Sequence, residues 1–514
     1  MTRLFHRAMM AFATLALIAP FASCSDSDDP AEEPETVKAE VTIPDQYQNL
    51  TFEAAASQQT ITITTNAQLT LTSSTSWVTV TEAEATSSTE LNYVVACTEN
   101  TGDTRKATIS VKADGFAGSI FVTQNVKAVT PMDGDPAEIA AALGMGWNLG
   151  NQLDSWSNEV ANETCWGNKA ATQATFDAIK AAGFKTVRIP VTWLGKVGGS
   201  PDYTIDSDWL NRVHEVVGYA ETAGLKAIIN IHHDGANSEH WLSIKSAASN
   251  TAQNTIIKNK LAAMWKQIAT KFSAKGDFLI FETMNEIHDG KWGWGSNLND
   301  GGAQYKVLNE WQQVCVDAIR ATGGNNATRW IGVQGYCCNP NLTVKNLVLP
   351  TDAANRLLVS VHFYDPTAYT LNAEYNSWGH LYDDSKGDTK NVDGDESNVK
   401  SVFKNLKEKY IDNGIPVYLG EIGCVHRSTD RAEKFRKYYL EYVCKAAKEY
   451  TLAPIYWDNG ATGSGAEKSG LFSHSTGVAI DNGADIAAIM VNAIENTDAS
   501  YTLESVYNKT LEDY

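Results

Sequence analysis

"FLIFETMNE", residues 278–286, begins as the interior of a sheet and ends in polar groups. Its apolar and β-branched run stops at Asn285-Glu286, and a Gly/Trp-rich loop, "IHDGKWGWG", follows to residue 295. A short run without in/out alternation reads as a strand covered on both faces, as in parallel sheets. Seven other segments read the same way: "GMGWNLGN" (144–151), "KTVRIPV" (185–191), "KAIINIHH" (226–233), "WIGVQGY" (330–336), "LLVSVHFY" (357–364), "PVYLGEIG" (416–423) and "PIYWDNG" (454–460). Between them lie amphipathic stretches such as "ATFDAIKAAGF" and "NRVHEVVGYAETAGL", apolar at helical spacing and closed by glycine. Eight buried strands alternating with helices is the count of a (β/α)8 TIM barrel. A doubly wound sheet is the competing arrangement, but it does not need eight strands of this regularity.

A barrel of this kind carries its site at the C-terminal mouth, so the strand ends are the place to look for chemistry. The second candidate strand brings Arg188, the third His232-His233-Asp234 and the fourth Asn285-Glu286. The sixth brings His362 and Tyr364, the seventh Glu421 and the eighth Trp457. One strand-end glutamate alone reads equally well as a salt bridge to a loop. Polar or aromatic residues at six strand ends converge on one pocket. Two glutamates facing each other across it suit glycosidic-bond cleavage, in which one carboxylic acid protonates the leaving oxygen and the other attacks or activates water. Their surroundings must differ, so that one keeps its proton near neutral pH while the other is ionised. Arg188 is a source of that asymmetry, since a nearby guanidinium favours an ionised carboxylate.

The segments "GWNLGNQLD", "VRIPVTW", "INIHHDG", "ETMNE", "HFYDP", "YLGEIG" and "YWDNG", in this order, resemble glycoside hydrolase family five, in its branch of bacterial endo-β-1,4-glucanases and xyloglucanases. The resemblance spans 136 to about 495. It implies that Glu286 is the acid/base and Glu421 the nucleophile, with Arg188 and Tyr364 holding the nucleophile and His362 joining that network. It further implies that Asn285 bonds the sugar 2-hydroxyl, that Asn151, His232 and His233 contact substrate, and that Trp457 forms a stacking floor. The implied mechanism is retaining, through a covalent glycosyl-enzyme intermediate, and requires no metal or other cofactor. Where the family places an aromatic after the strand-seven Gly-Glu pair, this chain has Ile422.

Of the fourteen tryptophans, most are expected in the core, because large rings bury much apolar surface. Trp156, Trp193, Trp241, Trp292, Trp294 and Trp378 fall just after candidate strands or in their loops. Trp292 or Trp294, and Trp378, are the expected platforms for the apolar face of a pyranose. The acidic segment "DDSKGDTKNVDGDES" (383–397) lacks the spacing of a calcium loop and reads as a solvated insertion.

Upstream the chain changes character twice. Residues 1–24 carry Arg3 and Arg7, a short apolar stretch and small residues before Cys24, the pattern of a signal peptide ending in a lipidation cysteine. Residues 25–40 form an acidic tether, which among Gram-negative lipoproteins resembles a signal for display on the outer surface. Residues 41–127 alternate Thr, Val and Ser with period two ("TITITT", "WVTVTE", "ATISVKA"), as in an immunoglobulin-like sandwich, and resemble a BACON-type module. Trp77 is expected in its core, and the module reads as a spacer. The barrel domain takes 128–514. Besides Cys24 there are seven cysteines without CxxC spacing, and the adjacent Cys337 and Cys338 read either as a vicinal disulfide or as simple burial.

The formal charge of −20 argues against a nucleic-acid partner, since no basic field exists to displace counterions. An uncharged polysaccharide fits, as does membrane contact through the lipid alone, and a monomer is expected. Two readings compete with a β-1,4-glucanase: a β-mannanase of the same fold, and a surface glycan-binding protein that no longer catalyses. Intact glutamates argue against the latter.

Overall fold

The computed structural model describes residues 39–53, 55–100, 105–125, 134–391 and 394–514. The expected signal peptide, Cys24 and nearly all of the acidic tether lie outside the described residues. No helix among the described residues is long and apolar enough to cross a membrane.

Residues 41–124 form two four-stranded sheets. Alternation along Arg105–Ala113 and Ser57–Thr65 turns Ile109, Val111, Ile61 and Ile63 inward, where they meet Leu50, Phe52, Val95, Ile120 and Val122. Trp77 packs against this core and lies under the Arg105 guanidinium, 4.4 Å from its ring centre.

The eight parallel strands anticipated from the sequence close into one barrel. They are β1 (Gly146–Leu149), β2 (Thr186–Ile189), β3 (Lys226–Ile229), β4 (Leu279–Glu282), β5 (Ile331–Gln334), β6 (Leu357–Phe363), β7 (Val417–Ile422) and β8 (Leu452–Asp458). The last pairs with the first, Tyr456 opposite Trp147. Helices follow each strand and bury their apolar stripes on the outside of the barrel, as Ser207–Ala223 does through Trp209, Val213, Val216, Val217 and Ala220.

Below the strands the helix Pro136–Leu143 stoppers the barrel. Asp135 and Glu138 form a reciprocal cap at its start, satisfying backbone N–H groups that would otherwise be unpaired. Its Ile139 and Leu143 meet Ile228, Ile280, Leu358, Tyr418, Ala453 and Ile455. The lower interior is therefore mainly apolar and the upper interior polar, which confines the chemistry to one end.

Cys337 and Cys338 are separate buried thiols in a turn after β5, and no disulfide joins them. Burial, the second of the two readings, is the one observed. In the acidic insertion Asp388 is buried and paired with Arg431.

Candidate active site

Arg188 sits one residue before the end of β2, wholly inside the barrel. Its Nη1 donates to Glu421 Oε1 at 2.7 Å and to Asn148 Oδ1 at 3.0 Å, and its Nη2 donates to Asn285 Oδ1 at 2.7 Å. The Tyr364 hydroxyl donates to Glu421 Oε2 at 2.9 Å. Burial, reinforced by the charge of Glu421, pushes that phenol far above its ordinary value, so it stays a donor.

Glu421 reaches this position through a break in the ladder. The pairing of β7 with β6 shifts between Val361 opposite Leu419 and His362 opposite Glu421, leaving Gly420 over. An extra residue of this kind re-aims the side chains beyond it. A Cβ on Gly420 would come within 2.8 Å of Ser360 Oγ and 3.1 Å of His362 Nε2. Only glycine lets the bulge pass those groups.

Glu286 stands four residues beyond β4 rather than at the strand's last position, on a turn in which Ile287 N donates to Asn285 O at 2.7 Å. His362 Nδ1 lies 2.6 Å from Glu286 Oε1 and 3.6 Å from Glu421 Oε2. Burial lowers His362 to about 4 against the opposing charge of Glu421, so near neutral pH the ring is uncharged. Burial raises Glu286 to about 7, with Arg188 and His233 opposing and Glu282 assisting. Burial also raises Glu421, but His362 and the donating Arg188 work against it. Oxygens of the two carboxylates approach within 4.8 Å of one another. Inverting glycosidases need roughly 6.5–9.5 Å to seat a water between the two groups, whereas retaining ones need only about 5–5.5 Å. The spacing here is that of a retaining pair.

Around the pair, His232 lies parallel to Trp457 with ring centres 5.9 Å apart, and His233 meets His232 edge-on. His233 Nδ1 is 2.9 Å from Asp154 O. Asn151 has a left-handed backbone, and its N–H donates to Asp154. Gly150 lies so close to the Trp457 ring that a Cβ would fall 2.9 Å from it.

A family model, Cellulase (glycosyl hydrolase family 5), matches residues 151–463, and a second, the BACON N-terminal binding domain, matches 68–125. The chain belongs to glycosyl hydrolase family 5. A xyloglucan-specific endo-β-1,4-glucanase of Bacteroides ovatus is 33% identical over 93% of this chain and 95% of its own length. Endoglucanase A of Paenibacillus barcinonensis is 39% identical over 64% of this chain and 83% of that protein. The solved structure of a broad-specificity endoglucanase from Bacteroides salanitronis is 60% identical, covers 71% of this chain and 97% of its own, and superposes with a TM-score of 0.70. This chain is thus a glycoside hydrolase with a BACON-like module ahead of its barrel.

Against the sequence reading, Arg188, Asn285, Glu286, His362, Tyr364 and Glu421 do come together. Trp378 does not reach the cleft. It is 3% exposed, packed among Tyr438, Tyr439 and Tyr442, and donates its indole N–H to Gly394 O. The loop after β6 folds it back onto the helix Asp430–Glu449, so a platform role is corrected to a core role. Trp193 is likewise buried, and Trp241 is tied to Asp234. Trp292 and Trp294 are 56% and 84% exposed. Trp292 lies against His288, with ring centres 4.3 Å apart. Three residues escaped the sequence reading. Asn148 bonds Arg188 and Gly420 O. Trp166 is 41% exposed and lies 5.3 Å from the His233 ring. Glu282 is buried under Arg188. A charged residue inside an otherwise apolar strand was the signal for Glu282, because a buried charge demands partners.

Proposed function

We propose that this hydrolase cuts β-1,4-glucan backbones internally by double displacement, with Glu421 as nucleophile and Glu286 as acid/base. The observation that carries the reading is the close carboxylate pair with unequal surroundings. Glu421 accepts from Arg188 and Tyr364, which favour the ionised form needed for attack on the anomeric carbon. Glu286 keeps a proton near neutral pH and gives it to the departing oxygen. In the second half-reaction Glu286 takes a proton from water, which opens the glycosyl-enzyme ester with net retention. Asn285, His232, His233 and Asn151 would position the sugar, Trp457 would floor the cleavage subsite, and Trp292 and Trp294 offer exposed rings after β4.

Xyloglucan is the favoured polymer, because relatives over most of this chain include a xyloglucan-specific enzyme and a broad-specificity endoglucanase. The chain works as a monomer displayed at the cell surface, with Cys24 as lipid attachment point and the sandwich as spacer. The test is reducing-end release on xyloglucan, mixed-linkage β-glucan, carboxymethyl-cellulose and mannan, with viscosity followed in parallel. Xyloglucan viscosity should collapse before many reducing ends appear. Faster turnover on mannan than on every β-glucan refutes the substrate reading.

A further inference from the structure

Glu282 has no exposure and lies beneath the reacting groups. Its carboxylate nonetheless accepts four hydrogen bonds, all from side chains. Oε1 accepts from Ser360 Oγ and from the Tyr418 hydroxyl, each at 2.7 Å. Oε2 accepts from Arg188 Nε and from Asn230 Nδ2, each at 2.8 Å. Two of these donors lead directly to site residues. Arg188, held by its Nε edge, turns Nη1 to Glu421 and Nη2 to Asn285. Asn230 Nδ2 also lies 3.1 Å from His232 Nδ1. An amide N–H can only donate there, so it fixes the His232 tautomer with its proton on Nε2.

We propose that Glu282 is a positioning residue of the hydrolysis: it orients Arg188 and Asn230, through them Glu421, Asn285 and His232, and it cancels the guanidinium charge beneath the two reacting carboxyls. A neutral residue here would leave Arg188 with Glu421 as its one carboxylate partner. The nucleophile would then be held too tightly, and Glu286 would face an uncompensated cation. The charged and titratable groups around Glu282 are Arg188 from β2, His232 beyond β3 and Glu286 beyond β4. Cys338 lies after β5, His362 on β6, and Tyr418 and Glu421 on β7. Of these only Arg188 is a permanent cation. Its attraction, with help from His362, Ser360 and Tyr418, holds Glu282 below the usual carboxylate range against the cost of burial. The negative charge is therefore present throughout the working pH range and favours the proton on Glu286.

The inference rests on the roles proposed for Glu286 and Glu421, and two isolated changes separate charge from geometry. Glu282→Gln keeps the shape and removes the charge. The alkaline limb of kcat/KM should move down by about one pH unit, because the freed guanidinium favours ionised Glu286. Its kcat on xyloglucan should fall roughly 10–100-fold with KM nearly unchanged, since Glu282 touches no substrate. Glu282→Asp keeps the charge and shortens the reach, so kcat should fall while the pH profile stays in place. A folded Glu282→Gln enzyme whose profile overlays the parent overturns the charge role, and an Asp variant with parental kcat overturns the positioning role. The Asp result decides the matter should the Gln variant not fold. Azide added to Glu286→Ala reports on the underlying assignment independently. A glycosyl azide of retained configuration upholds it, and the same product from Glu421→Ala reverses the two roles whatever the Glu282 variants do.

Discussion

Removing the Glu286 side chain tests the division of labour between the carboxylates most directly. An ordinary glutamate with a pKa of 4.5 would be protonated in only roughly 0.3% of molecules at pH 7. Burial raises Glu286 to about 7, which puts about half of the molecules in the acid form at that pH. The rise corresponds to about 3 kcal/mol of preference for the protonated state. Glu286→Ala should therefore lower kcat/KM on xyloglucan by about 10²–10⁴-fold, the usual contribution of a positioned general acid. A dinitrophenyl cello-oligosaccharide leaves without needing a proton, so its kcat/KM should fall far less, and the alkaline limb near pH 7 should vanish from it. The assay is initial rates on both substrates across pH 4–9. Equal losses on both substrates, or an alkaline limb that survives on the aryl glycoside, would refute the assignment.

The same carboxyl influences stability. Its folded pKa lies above the unfolded value, so its favourable contribution is complete below about 4.5 and is lost as pH rises through about 7. Glu286→Gln should match the parent's unfolding free energy at pH 4 and exceed it at pH 8, by at most about 3 kcal/mol, as read from denaturant melts at the two pH values. Trp378→Ala should destabilise the barrel by about 3–5 kcal/mol, whereas Trp294→Ala should leave the melting temperature alone and raise KM on long oligosaccharides. Gly420→Ala should keep the far-ultraviolet circular dichroism and lose at least about tenfold in kcat, because the added methyl meets Ser360 and His362. Cys24→Ala should move the protein from the membrane fraction to the soluble one with unchanged activity per molecule; continued membrane association would refute the lipid anchor.

The barrel was legible because parallel strands buried on both faces leave unbroken apolar runs, and all eight candidate segments became strands. The two glutamates proposed for catalysis stood out because a carboxylate at the C-terminal end of such a run is carried to the barrel mouth, where the fold gathers its chemistry. Tryptophans were harder to place. Trp378 and Trp294 both follow strands in Gly-containing loops, and which way a loop folds is decided by partners distant in sequence, here Tyr438, Tyr439 and Tyr442. Glu282 carried a signal, a charge inside the run that identified β4, but the run does not name its partners, here Arg188, Asn230, Ser360 and Tyr418, which lie on or just after other strands.

The irregularity in β7 has a consequence for how this activity could be lost or transplanted. Tyr418 points to the barrel axis, where it meets Glu282, so strict alternation would turn Gly420 inward and Glu421 outward into the helical layer. The spare residue lets Gly420 and Glu421 both face the axis. Pairing these same residues without the spare position would turn Glu421 outward and hide its carboxylate behind the wall. Anyone grafting the carboxylate pair onto an idealised scaffold would need to copy the flaw as well as the residues.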